Sequence, residues 1–276
     1  MNKEAYFISL FGHEKMIGDD AVILENMNQL CVSQDAFFEN VHFRRDWMSL
    51  YDIGRKAMLV NLSDAIVMNA RPRYALLTVA MPRDFTRAQM RELAAGLRET
   101  AEAYGVAIVG GDTIANVKLD ISVTILAECP DPLRRTGLKE GDLLAYTGRL
   151  GSVRLDLQRL LRGGRVGRRS RFIHPILRDR FFCEAAPFMR CAMDISDGLF
   201  TDLQRLHDAN RLGFRFFSPI PKAIGCSGEE FEILFAFDPR YEARIRAVAQ
   251  KCRTPLTIFA EAARTSYKNP CRPHHF

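Results

Sequence analysis

The chain has 276 residues, 47% of them hydrophobic and 26% charged. This excludes disordered, collagenous and coiled-coil classes and allows one large or two medium domains with a sizeable core. The net charge is +6, but Arg149 to Arg190 holds 11 arginines against Asp156, Asp179 and Glu184, so that stretch alone carries +8 and must be read locally.

After a short leading helix, Ala21–Leu24 and Leu30–Ser33 are predicted as strands around a polar turn at Asn26–Gln29. From Leu50 to Asn69 the apolar spacing becomes helical, with Ile53, Ala57 and Val60 on a face that Asn61 and Asp64 interrupt. Tyr74–Ala80 is predicted as a strand and Phe85–Tyr104 as a helix with Met90, Leu93, Leu97 and Ala101 inward. Val106–Val109 and Leu119–Leu126 supply two more strands, and a turn-rich segment, Pro130 to Asp142, places a domain boundary near Thr136.

The second half opens with a strand at Leu143–Thr147, a turn at Gly148–Gly151, and a helix that Gly163 and Gly164 stop. Helices follow at Arg178–Met189 and Asp194–Arg211, then a strand at Phe231–Phe237, and no regular structure over Lys268–Phe276. The expectation is therefore a mixed α/β (α+β) chain with domains at 1–136 and 137–276.

No uncharged apolar run approaches the roughly 18 to 25 residues that cross a bilayer, and the amino end lacks a basic lead into an apolar core, which predicts a soluble cytoplasmic protein. The seven cysteines, Cys31, Cys129, Cys183, Cys191, Cys226, Cys252 and Cys271, show neither CxxC pairs nor zinc spacing, so reduced structural thiols are expected.

The chemical signal is a set of aspartates beside apolar segments: Asp19, Asp20, Asp35, Asp64, Asp112, Asp194 and Asp197. Close carboxylates repel and resist desolvation, and a hard divalent cation offsets both costs, so magnesium shared with a nucleotide is the expected partner. The competing reading makes Asp19, Asp112 and Asp197 helix caps or turn formers. Asp194-Ile195-Ser196-Asp197-Gly198 precedes a helix face of Leu199, Leu203 and Leu206, so Ser196 or Asp197 is the expected N-cap, where free backbone donors favour phosphate.

Gly110-Gly111-Asp112-Thr113 allows close backbone approach to a phosphate, and Arg149 in the Thr147–Gly151 turn is the preferred phosphate cation. Arg154, Arg159, Arg162, Arg165, Arg168, Arg169 and Arg171 are expected to form a solvated face. His42 reads either as a packed histidine or as a contact to an anionic substrate, Tyr104 as a core residue or a flank for a nucleotide base, and Glu229 as the acid best placed to face a ligand. Dinucleotide, phosphate-loop and protein-kinase signatures are absent.

These motifs together resemble the thiamine-monophosphate kinase family, in the broader group with aminoimidazole ribonucleotide synthetase and selenophosphate synthetase. The resembling segments are IGDDAVIL from Ile17, SQDAFFENVHF from Ser33, KAMLVNLSDAIVMNARP from Lys56, VGGDT from Val109, TGRLG from Thr147, MDISDGLFTDL from Met193, SGEEFEILF from Ser227 and the terminal HHF. The resemblance implies a two-domain fold whose amino-terminal sheet pairs across a homodimer and whose second domain completes an ATP cleft.

It further implies that Asp19, Ser33, Gln34, Asp35, Asp64, Asp112, Asp194 and Asp197 organise magnesium and phosphates. By the same resemblance Tyr104, Gly111, Asp112, Arg149 and Ser196 contact ATP, and His42, Glu229 and Phe276 or His274 contact thiamine monophosphate. The implied reaction gives thiamine diphosphate by direct phosphoryl transfer with no dedicated catalytic base, and implies no nucleic-acid or membrane partner. Gln34 replaces the family's usual threonine, Pro273 its late aromatic residue, and SGEEFE its GGEDYE. Two other readings are a superfamily enzyme acting on a different phosphorylated or amide-containing substrate, and a non-catalytic nucleotide- or nucleic-acid-binding protein.

Overall fold

The structure is a computed structural model that describes Tyr6, Leu10 and residues 29–272. Asp19, Asp20, the strand expected at Ala21–Leu24, Pro273, His274 and Phe276 lie outside the described residues. Contacts divide the chain into two units, Met1–Ala65 with Ala70–Pro130, and Ile66–Asn69 with Asp131–Phe276. The mixed α/β class is the one observed. Among the described residues no helix is long and apolar enough to cross a membrane.

The first unit is built on strands β1 (Leu30–Phe38), β2 (Arg71–Pro82), β3 (Ala107–Asn116) and β4 (Asp120–Glu128), with helices α1 (Leu50–Val67) and α2 (Arg87–Ala103). The strand order is β1-β4-β2-β3, antiparallel except for the parallel pair β2 and β3. Strict alternation in β4 buries Ile121, Val123, Ile125 and Ala127 and leaves Ser122, Thr124 and Leu126 half-buried on the other face. A capping box between Thr86 and Gln89 starts α2, satisfying donors that the first turn leaves without partners.

Helices α1 and α2 cross with almost no space between their backbones. A Cβ at Gly54 would strike the Leu93 carbonyl, and one at Gly96 the Tyr51 carbonyl. Alternation and periodicity located these elements, but two of them run further than their apolar cores suggest. Strand β1 continues to Phe38, carrying Asp35 inside the sheet, and β3 runs through Gly110-Gly111-Asp112-Thr113, beyond the strand expected at Val106–Val109. Gly111, with φ 145°, lies against the Leu77 backbone so tightly that only glycine lets β3 stay paired there.

The second unit holds a five-stranded antiparallel sheet. Its strands are β5 (Leu143–Thr147), β6 (Cys191–Asp194), β7 (Gly213–Phe216), β8 (Ile233–Phe237) and β9 (Leu256–Ala263), in the order β6-β8-β5-β9-β7. The helices are α3 (Ser152–Leu161), α4 (Asp179–Ala185), α5 (Leu199–Asn210), α6 (Lys222–Gly225) and α7 (Glu242–Lys251). The Leu199, Leu203 and Leu206 face of α5 packs with Leu144, Met193, Leu234 and Phe259. β6, β7, β9, α6 and α7 have no counterpart among the expected elements. Pro187 turns the end of the expected Arg178–Met189 helix into a short 3-10 turn.

The cysteine expectation is corrected at one pair. Cys226 and Cys271 form a disulfide with Cα atoms 5.7 Å apart, while Cys31, Cys129, Cys183, Cys191 and Cys252 form no disulfide among the described residues. A separation of 45 residues leaves no spacing signature, because the fold and not the local sequence brings the two together.

Replacing Gly96 by alanine forces α1 and α2 apart and is expected to destabilise the protein by about 1 to 3 kcal/mol, as overpacking does. Urea unfolding measures it, and a wild-type midpoint in Gly96→Ala would contradict the close crossing.

Candidate active site

Period-two alternation sorts the β1 candidates. Ser33 and Asp35 share a face with Phe37, which is buried and stacked on Phe43 at 4.8 Å, while Gln34 lies on the opposite face. The Gln34 amide donates to Ser122 Oγ at 3.1 Å and accepts from Thr124 Oγ1 at 3.2 Å. The Asp35 backbone N–H donates to Asn61 Oδ1 at 2.7 Å, and the Asn61 amide donates to the Ala57 carbonyl at 2.9 Å. Fully buried Asn61 thus fixes Asp35 against α1, one turn ahead of Asp64.

Burial first, and then the Asp64 charge, push the Cys31 thiol above its ordinary value, which places Asp64 near β1 as well. Ser33 Oγ is buried in this strand without a hydrogen-bond partner. Asp112 takes the other edge of the sheet, in register with Thr78, exposed, with its Oδ1 accepting from the Thr113 N–H at 2.8 Å. The structure therefore brings Ser33, Asp35 and Asp64 to one corner of this unit and does not bring Asp112 to them.

His42 follows β1 in a turn, stacked on Phe37 at 5.7 Å, and its Nδ1 accepts from the Phe38 N–H at 3.0 Å. An accepting Nδ1 places the ring proton of the neutral imidazole on Nε2, leaving that atom as the donor. Tyr104 caps the carboxyl end of α2, half-buried.

In the second unit two loops hold one another through their backbones. Ile195 N–H donates to the Glu232 carbonyl at 2.8 Å, Phe231 N–H to the Ile195 carbonyl at 2.9 Å, and Glu229 N–H to the Ser196 carbonyl at 2.6 Å. Glu229 and Phe231 sit at φ 55° and 49°, conformations that cost side-chain-bearing residues energy and that this ladder maintains. The ladder brings Asp194, Ser196 and Asp197 together with Glu229.

The N-cap of α5 is Gly198, without a side-chain cap bond, and not Ser196 or Asp197 as expected. Asp197 instead pairs with Arg205, which also donates to Asp202 Oδ1 at 2.7 Å. Asp202 is fully buried and its Oδ2 has no partner. Burial first, then the charge of Asp194, push its carboxyl well above the usual range.

Below the Thr147–Gly151 turn lies a second buried carboxylate. Glu232 accepts from Thr147 Oγ1 at 2.6 Å, takes a two-point contact from Arg178 at 2.9 Å each, and pairs with Arg171 Nη1 at 2.6 Å. A Cβ on Gly148 would occupy the position of this carboxylate. Arg171 was expected in a solvated face; its side chain is 15% exposed, because the buried Glu232 charge requires partners. Arg154 is also half-buried, its Nη1 on the Cys226 carbonyl at 3.5 Å. Arg149, Arg159, Arg162, Arg165, Arg168 and Arg169 are exposed.

Among the described residues no three acidic, histidine or cysteine side chains converge as a ready metal cage. The donors are nonetheless the hard oxygens that magnesium prefers, and the partnerless Ser33 Oγ and Asp202 Oδ2 leave unspent polar capacity beside the two acidic groups. Arg178, Asp202 and Glu232 were not chosen as site residues from the sequence, whereas Asn61 stood out as a polar interruption of a helix face without being assigned a role.

Arg178→Met removes the two-point contact from buried Glu232 and leaves Arg171 as its remaining cation, so it is expected to cost about 1.5 to 3 kcal/mol; a chemical unfolding curve like wild type would contradict the clamp. Asp202 keeps its proton in the folded state above the pH, about 4, where the unfolded chain releases it. Its contribution to stability therefore falls as pH rises from there. Asp202→Asn is expected to lessen that fall, measured by unfolding between pH 4 and 8, and an identical slope would contradict the buried carboxyl.

Residues 18–129 match the family described as AIR synthase related protein, N-terminal domain. The thiamine-monophosphate kinase of Rhodopirellula baltica is 33% identical over 259 residues, covering 84% of this chain and 78% of that protein. The fold is that of the Stenotrophomonas maltophilia thiamine-monophosphate kinase crystal structure, with a TM-score of 0.81, 24% identity, and coverage of 91% of this chain and 88% of that one. It is also that of AaThiL complexed with AMPPCP and TMP, with a TM-score of 0.77, 24% identity, and coverage of 92% and 87%. The aspartate motifs, the interlocked loops and this likeness along most of the sequence agree: the chain belongs to the thiamine-monophosphate kinase family.

Proposed function

We propose that this protein transfers the γ-phosphoryl group of ATP to thiamine monophosphate, giving thiamine diphosphate and ADP. The observation that carries the reading is the backbone bond from Glu229 to Ser196. It supports the reading by joining the segment expected to meet the acceptor to the segment expected to meet the nucleotide, and transfer between two bound phosphates requires such proximity.

In the second unit Arg149, exposed after its glycine turn, and Ser196 contact ATP; in the first unit Gly111, Asp112 and Tyr104 contact ATP. His42, donating from Nε2, and Glu229 bind the acceptor, and Phe276 is the remaining acceptor residue. Asp35, Asp64, Asp112, Asp194 and Asp197, with Asp19, Ser33 and the Gln34 segment, are the oxygen donors for magnesium. When bound, magnesium screens the charge of donor and acceptor phosphates. The acceptor is already an anion, so these residues bind and align and none serves as a dedicated base.

The protein acts as a homodimer through its first unit. The face of β1 opposite the helices exposes Leu30 at 47%, Val32 at 56% and Phe38 at 39%, and the same face continues through Leu76 and Leu126 to Ile114 at 49%. It acts in the cytoplasm, without nucleic acid or membrane as a partner.

ADP release is expected only when thiamine monophosphate accompanies ATP and magnesium; folded protein that forms no thiamine diphosphate would contradict the assignment. Val32→Glu is expected to shift the protein to monomer in sedimentation velocity, and an unchanged dimer would remove this face from the interface.

A further inference from the structure

Helix α3 begins directly after the Thr147–Gly151 turn, and its N-cap position is Gly151, at φ 98°, with no side chain to satisfy the first-turn donors. Those donors are met from 73 to 79 residues away in sequence. Gly151 N–H donates to Glu230 Oε1 at 2.7 Å, and Arg154 N–H donates to Ser227 Oγ at 3.2 Å. The Ser227 hydroxyl donates in turn to the same Glu230 oxygen at 2.6 Å. Glu230 is 0% and Ser227 1% exposed. A capping arrangement usually made within one helix is here supplied by the loop that carries Glu229.

The consequence is positional. Arg149 stands two residues before Gly151, and Glu229 stands between Ser227 and Glu230. One carboxylate therefore ties together the backbone that presents Arg149 and the backbone that presents Glu229. With both neighbours of the Gly228–Glu229 pair anchored to α3 and the Glu229 N–H on Ser196, Glu229 is held at its positive φ from three sides.

We propose that Glu230, with Ser227, is a positioning residue for phosphoryl transfer, joining the nucleotide turn to the acceptor loop so that both ligand sites depend on one cap. This rests on the phosphotransfer reading above. Two other features carry less. Glu232 with Arg171 and Arg178 fixes the same turn, and Arg171 Nη2 donates to the Glu230 carbonyl at 3.3 Å, but this cluster does not supply the cap of α3; the exposed arginines after α3 have nothing in the structure that selects a partner.

The test compares steady-state kinetics of the wild type with Glu230→Ala, Glu230→Gln and Ser227→Ala. Arg149→Ala is expected to raise KM for ATP alone and Glu229→Ala KM for thiamine monophosphate alone. Glu230→Ala is expected to raise both by about tenfold with a smaller change in kcat, the scale set by a buried donor left unpaired. Glu230→Gln, which retains an acceptor oxygen for Gly151, is expected to recover most of both. Ser227→Ala is expected to move both KM values in the same direction as Glu230→Ala, and carries the test if Glu230→Ala does not fold.

Folded Glu230→Ala or Ser227→Ala with both KM values at the wild-type level, or with only one of them raised, would overturn the proposal. Wild-type protein that forms no thiamine diphosphate would overturn the phosphotransfer reading itself and this proposal with it, whereas an active wild type with insensitive variants overturns the positioning role alone.

Discussion

The second unit depends on a buried negative charge that cannot be left alone. Glu232 sits at the root of β8 with no exposure to solvent, and Thr147, Arg171 and Arg178 are arranged around it. Its backbone carbonyl also accepts from Ile195, so one residue joins the end of β5, the end of β6 and the start of β8. An ion pair so buried gains little over well-packed apolar residues, but removing one partner is costly, which makes such a site better at specifying an arrangement than at adding stability. The requirement for glycine at position 148 follows from the same charge, since a side chain there would displace the carboxylate.

From this root the functional loops gain their order. The strand ends present Asp194 and Thr147, the Ile195–Ser196 backbone pairs with the 229–232 segment, and Glu230 closes the start of α3. The first unit solves a related problem by different means. There a fully buried amide, Asn61, holds the Asp35 backbone, and the alternation of β1 keeps Ser33 and Asp35 on the side of the helices. In both units uncharged or counter-charged groups fix the backbone that carries the acids.

Much of this was legible because it is periodic. The 3.6-residue spacing across Leu50–Val67 located α1 and placed Asn61 and Asp64 on its inner face, and two-residue alternation located β4. The aspartate motifs were recognisable in combination, since isolated acids beside apolar runs are rare without a charge partner. What escaped was non-local. Glu230 caps a helix 79 positions away, Arg178 meets Glu232 across 54, and Cys226 meets Cys271 across 45. Nothing in the local pattern of Arg171 separates a buried clamp from the exposed arginines at 165, 168 and 169. Strand β3 was cut short for the opposite reason: paired glycines signal a turn, and only the neighbouring Leu77 backbone reveals that Gly111 is there for close approach.

The central claim, direct transfer between two bound phosphates, is tested most directly with ATP labelled at the γ-phosphorus. In the presence of magnesium and thiamine monophosphate the account predicts that the label appears in the terminal phosphate of thiamine diphosphate, in equal amount to the ADP formed. Label recovered only as inorganic phosphate, with thiamine monophosphate unchanged, would contradict it.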